Sequence, residues 1–174
     1  LVDGAETYDN MISAIESARS YVLVQFYIVR DDVIGRRLRD ALVAKARGGV
    51  QTFFLYDEIG CIKLPAAYLD VMRKEGVEVS GFKTTKGRSN RFQINFRNHR
   101  KLLVVDGFVP ERALVITGGR NISLSYYGIR ADGSPDPDTY NDAELLLRPD
   151  TAVTEPYTVS EVSEIYFTML NSFS

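Results

Sequence analysis

A single imidazole is available to this chain. His99 lies two residues before Lys101 and seven before Asp106, the pattern His-x-Lys-x4-Asp, inside Asn95-Phe-Arg-Asn-His99-Arg-Lys101-Leu-Leu-Val-Val-Asp106-Gly107. The apolar run after Lys101 reads as a strand over residues 98–106. Alternate side chains of a strand share a face, which puts His99 and Lys101 on one side, about 7 Å apart at ~3.3 Å per residue. That separation suits two groups holding one phosphate. An imidazole serves as nucleophile or acid near neutral pH, and an ammonium beside it stabilises charge on the phosphoryl oxygens. Asp106 completes the catalytic set as its acidic member, yet strand parity turns it away from His99. A structural or cross-domain pairing role is expected of it before a chemical one.

Charge is distributed as an anion site requires. No acidic residue falls between Glu78 and Asp106, whereas Lys83, Lys86, Arg88, Arg91, Arg97, Arg100 and Lys101 are all basic. Acids gather later, at Asp132, Asp136, Asp138, Asp142 and Glu144. Asp142 opens an expected strand over residues 142–147 and could accept the second imidazole N–H, fixing its tautomer. Gly118-Gly119-Arg120-Asn121 follows an expected strand at 113–117, offering permissive backbone N–H groups and an amide donor to a phosphoryl oxygen. Each feature also has a structural reading. A histidine on an apolar strand can be a hydrogen-bonded core residue, a Lys/Arg-rich loop a solvated surface, and Gly-Gly a turn.

Composition narrows the chemistry further. Lys+Arg 21 against Asp+Glu 23 gives a net charge of −2 in 174 residues, which removes the overall basic excess of a protein that coats nucleic acid. One His and one Cys cannot furnish the three or four N/S ligands of a zinc site, and Cys61 alone forms no internal disulfide. Zinc is therefore not expected, this count leaves a carboxylate-bound Mg²⁺ open, and no cofactor is expected. The longest apolar run, residues 21–29, is interrupted by Gln25 and too short to span a bilayer. Leu1 opens the chain without Met, so a piece of something longer is expected.

Helices and strands must carry these groups. Tyr8, Met11, Ile12, Ile15 and Ala18 recur at helical spacing, with Thr7 or Asp9 as cap. Strands are expected at 21–29, 50–56 and 77–82, separated by a helix capped at Asp31 or Asp32 and stopped at Gly48-Gly49, and by a helix opened by Pro65 and closed by Gly76. A last helix is expected from Thr158 and Glu161, in capping-box spacing, to Phe173. This alternation predicts a single α/β domain over residues 1–174: a mixed, largely parallel sheet flanked by helices on both faces.

His-x-Lys-x4-Asp, Gly118-Gly-Arg-Asn121 and the later acidic strand start together resemble the phospholipase D superfamily. The wording Phe26-Tyr-Ile-Val-Arg-Asp-Asp32, Leu55-Tyr-Asp57 and Asn95-Phe-Arg-Asn-His-Arg-Lys101 is most similar to its bacterial cardiolipin synthase branch. The resemblance implies a phospholipase D-like half-domain in which His99 is the phosphoryl-attacking nucleophile or its acid counterpart. Lys101, Asn121, Gly118, Gly119 and Arg97 would hold phosphate, and Asp142 would orient His99. Gly119 departs from relatives with Ser at that place, and Gln25 from relatives with Glu.

The implied reaction is phosphatidyl transfer through a phosphohistidine, without metal, on a phospholipid of the phosphatidylglycerol kind. It uses two histidines, and this chain has one. The second is expected from another phospholipase D domain of a parent chain, or from a homodimer partner. The resemblance also implies membrane association of a full-length bacterial protein, with this fragment soluble. Two other functions stay open: a single-motif nuclease or phosphodiesterase, in which Phe82, Phe92 and Phe96 could stack nucleic-acid bases, and a non-catalytic scaffold.

Overall fold

A computed structural model describes residues 1–82, 99–109, 111–130 and 132–148. The expected helix over residues 158–173, the basic stretch 83–97 with Arg97, and Phe92 and Phe96 lie outside the described residues.

The elements run α1 (Gly4–Ser17), β1 (Tyr21–Phe26), α2 (Val33–Arg47), β2 (Gln51–Asp57), α3 (Ala66–Lys74), β3 (Glu78–Phe82), β4 (Leu102–Val105), β5 (Leu114–Gly118), a 3-10 turn (Leu124–Tyr126) and β6 (Glu144–Leu147). Capping follows local chemistry. Asp32 accepts from the N–H groups of Ile34 and Gly35, both at 3.0 Å, as expected. The cap of α1 is Asp3, accepting from Glu6 N–H at 3.0 Å, in place of Thr7 or Asp9. Thr7 is buried inside the first turn, its hydroxyl donating to the Asp3 carbonyl at 2.7 Å. Gly76 ends the α3 segment at φ 90°, a left-handed conformation that glycine adopts without strain.

The six strands lie in the order β3-β2-β1-β4-β5-β6. Helical crossovers make β1, β2 and β3 parallel, whereas β4 pairs antiparallel with β1, β5 with β4, and β6 with β5. The sheet is mixed as expected, but largely parallel only in its first half. The reason is the short connection from β4 to β5, which permits a hairpin and no crossover. The three described helices also share one face: Tyr8, Met11 and Ile15 of α1, Leu38 and Leu42 of α2, and Tyr68 and Met72 of α3 join Val22, Val24, Phe54, Leu103 and Ile116 in one buried cluster. The opposite face carries a second buried cluster of Tyr21, Leu23, Phe53, Leu55, Leu102 and Val104. Leu102–Val105 is therefore buried on both sides, which explains an unbroken apolar run in place of alternation.

Candidate active site

The motif straddles a strand. β4 begins at Leu102, so His99 and Lys101 precede it, at the edge of the sheet where β1 and β5 end, while Asp106 follows its other end. The expected strand over 98–106 is thus four residues long at its centre.

Beyond the start of β4, the chains leaving β1 and β5 meet each other. Val29 and Ile122 form a parallel bridge, Ile122 N–H donates to the Ile28 carbonyl at 3.0 Å, and Arg30 N–H to the Ile122 carbonyl at 3.0 Å. Both strands run antiparallel to β4, so they are parallel to one another and pair once β4 no longer separates them. Asn121 locks the junction. Its Oδ1 accepts from Ile28 N–H at 3.0 Å, its Nδ2 donates to the Tyr126 hydroxyl at 3.0 Å, and its carbonyl accepts from the Tyr8 hydroxyl. An amide nitrogen has two hydrogens, and one of them is taken by the Tyr126 hydroxyl.

Just before this junction, Tyr27 presents its ring to the motif. The exposed His99 ring stacks on it at 4.1 Å between centroids and 20° between planes, and Lys101 Nζ lies 5.8 Å from the centroid of the same ring. The two motif groups thus converge on one aromatic side chain, in keeping with their expected proximity. Thr117 Oγ1 donates to the Lys101 carbonyl at 2.9 Å and fixes that backbone against β5.

The two glycines of the Gly118-Gly-Arg-Asn121 turn are demanded by close packing. A Cβ on Gly118 would stand 2.5 Å from the Ala143 carbonyl oxygen, and one on Gly119 would stand 2.1 Å from Oδ1 and 2.5 Å from Cγ of Asp142. Asp142 therefore sits at this same edge, its carboxylate against Gly119, and a side chain at 119 would require that carboxylate to move. Among the described residues no hydrogen bond joins Asp142 to His99.

Asp106 stands apart from the other motif residues. It lies at the opposite end of β4 from His99, nearly fully buried, at φ 47°. Its carboxylate accepts from the N–H groups of Arg19 at 3.0 Å, Ser20 at 2.7 Å and Tyr21 at 3.0 Å, and pairs with Arg112 Nε at 3.3 Å. Burial opposes its ionisation, but those three backbone donors and Arg112 outweigh it and hold its pKa below the usual range. Strand parity had already separated it from His99. The structure gives it the task of tying the start of β1 to the turn that follows β4.

Two groups escape a reading of the motifs alone. Arg120 turns inward from the glycine turn and meets Glu144: Nε donates to Oε2 at 2.9 Å, with the two side chains 2% and 1% exposed. Arg120 also donates to the carbonyls of Tyr126 at 3.0 Å and Val2 at 2.8 Å, and to that of Asp142. A buried pair so fully hydrogen-bonded holds β6 against the glycine turn and leaves the guanidinium no part in binding phosphate. Cys61 is the other: Val29 N–H donates to its Sγ at 3.2 Å, and the thiol donates to the Tyr27 carbonyl at 3.5 Å. Burial pushes its pKa up to about 11, so the thiol is protonated at neutral pH and acts as a structural clip.

Residues 11–131, a span containing His99, Lys101 and Asn121, match the family model described as "Cardiolipin synthase, PLD-like domain". The chain belongs to this family. Cardiolipin synthase A of Pseudomonas putida (strain GB-1) is 47% identical over 140 residues, covering 80% of this chain and 28% of that relative. Cardiolipin synthase A of Pseudomonas aeruginosa (strain LESB58) is also 47% identical, with the same coverage. The chain thus spans about 28% of the length of the cardiolipin synthases it matches. In solved structures, this fold of the cardiolipin synthase PLD-like domain is similar to NucT from Helicobacter pylori, with a TM-score of 0.61 at 19% identity over 96% of this chain and 89% of that one. It is also similar to Nuc from Salmonella typhimurium, a phospholipase D family member, with a TM-score of 0.59 at 17% identity over 94% and 86%.

Proposed function

We propose that this chain supplies one of the two histidine half-sites of a cardiolipin synthase-like phosphatidyltransferase. The observation that carries this reading is the convergence of His99 and Lys101 on Tyr27. It lies beside the Asn121 junction, in a chain 47% identical to cardiolipin synthase A.

In the first step the lone pair of one imidazole nitrogen attacks the phosphorus of a phosphatidylglycerol-like lipid. An N–P bond forms, the P–O bond to the headgroup alcohol breaks, and a second imidazolium gives that alcohol its proton. In the second step the now neutral second imidazole takes a proton from the hydroxyl of an acceptor lipid. That oxygen attacks phosphorus, and the N–P bond breaks. Lys101, the remaining Nδ2 hydrogen of Asn121 and the backbone at Gly118 and Gly119 stabilise the phosphoryl oxygens. Asp142 orients the imidazole once substrate draws the two together, since catalytic hydrogen bonds are often long in unliganded sites.

His99 fills one imidazole role, and the second histidine comes from a further phospholipase D-like unit, either of a longer chain or of a second copy. The shared surface of two such units would bring the two imidazoles together. No described helix is long and apolar enough to cross a membrane. The test is incubation of the two-histidine enzyme with phosphatidylglycerol vesicles and, separately, with single-stranded DNA. Cardiolipin and released glycerol are the expected products; DNA cleavage without lipid products would overturn the reading in favour of a nuclease. A scaffold role predicts neither.

A further inference from the structure

We propose that Tyr27 is a positioning residue for His99, an aromatic wall that holds the imidazole in one orientation. The proposal rests on the reading of His99 as a reacting group. The ring geometry, 4.1 Å between centroids at 20°, is a face-to-face stack, and Lys101 Nζ at 5.8 Å brings a second cationic group within range of the same π system. His99 is exposed to solvent and its ring lies against that of Tyr27.

Tyr27 is itself held. A Cβ on Gly60 would stand 2.0 Å from the Tyr27 carbonyl oxygen and 2.9 Å from Cε2 of its ring, so only glycine lets the β2–α3 loop close on it. Cys61 grips the Tyr27 carbonyl and the Val29 N–H, and Asn121 the Ile28 N–H. Tyr27 is therefore clamped from the side away from the motif and presents a preset surface to His99. Either imidazole role passes through a cation: the nucleophile becomes a positively charged N-phosphoryl imidazole, and the acid begins as imidazolium. An aromatic face stabilises both.

The test uses the fact that His99 is the only histidine, so one set of imidazole signals in a proton–carbon or proton–nitrogen NMR spectrum of this chain belongs to it. Stacking on Tyr27 predicts an upfield ring-current shift of the His99 Hε1 or Hδ2 proton. The shift is retained in Tyr27→Phe and lost in Tyr27→Leu, with backbone amide spectra of β1 and β2 showing both variants folded. In the two-histidine enzyme, Tyr27→Leu is expected to lower kcat about 3- to 30-fold, the worth of one cation–π contact, with KM for phosphatidylglycerol nearly unchanged, and Tyr27→Phe to restore it. Equal His99 shifts in wild type and Tyr27→Leu, or an unchanged kcat in Tyr27→Leu, would overturn the proposal. Failure of the phosphatidyltransferase reading is distinguishable, because it appears as an absence of lipid products from wild type or as full turnover in His99→Ala, and it leaves the NMR contact in place.

Discussion

Gly119 and Asp142 are in such close contact that a Cβ on the glycine would stand 2.1 Å from the carboxylate Oδ1. Gly119 leaves room for the Asp142 carboxylate. Gly119→Ala should therefore displace the Asp142 side chain and leave the sheet standing, since the clashing atoms are a short side chain and the backbone need not move. We expect a small loss of thermal stability with a fall in turnover on the order of 10- to 100-fold, the usual result of an ångström-scale misplacement. Thermal melts and steady-state rates on phosphatidylglycerol check this. Equal losses in both would assign Gly119 to folding alone.

Asp106 should affect stability and not chemistry. Asp106→Ala leaves three buried backbone donors without an acceptor and is expected to cost about 2–3 kcal/mol. Its folded pKa is lowered, so its charge-dependent contribution is present above the unfolded carboxylate pKa of about 3.9 and is lost as pH falls through the folded value. Asp106→Asn keeps an acceptor oxygen and should flatten that part of the acid unfolding curve, with turnover per folded molecule unchanged. A pH series of denaturant melts on wild type and Asp106→Asn measures it.

The Arg120–Glu144 pair should be costly to break from either side. Glu144→Gln and Arg120→Met each strand a buried charge or its polar partners, and a loss of about 3–5 kcal/mol is expected for each. The two should be strongly non-additive in a double-mutant cycle monitored by urea unfolding. An additive cycle would mean the pair does not act as a unit.

Cys61 should be silent toward alkylation in the native protein. Its thiol is buried, protonated at neutral pH and engaged with Tyr27 and Val29. Modification by iodoacetamide at pH 8 should follow the rate of unfolding, and rapid labelling of folded protein would contradict the clip assigned to it.

Much of this was legible before any coordinates. Helical periodicity located α1, α2 and α3, and the α2 cap, expected at Asp31 or Asp32, is Asp32. The cap of α1 was not, because Thr7 is itself polar and its burial depends on the distant Glu144. Strand parity separated Asp106 from His99 on the sequence alone, although the physical separation proved to be along β4 and not across it. Asp106 follows β4 at positive φ, a conformation no pattern of apolar residues reveals. Tyr27 was visible only as an aromatic at the end of an apolar strand. Its meeting with His99 is a contact between residues far apart in sequence. Arg120 looked like a phosphate ligand's neighbour until its partner Glu144 was in place.

The most direct measurement is turnover of phosphatidylglycerol by the two-histidine enzyme carrying His99→Ala, compared with wild type at matched folded concentration. If His99 is one of the two reacting imidazoles, the rate should fall by at least about 10³-fold, with no cardiolipin formed above background. Turnover equal to wild type would contradict the account and place the chemistry elsewhere.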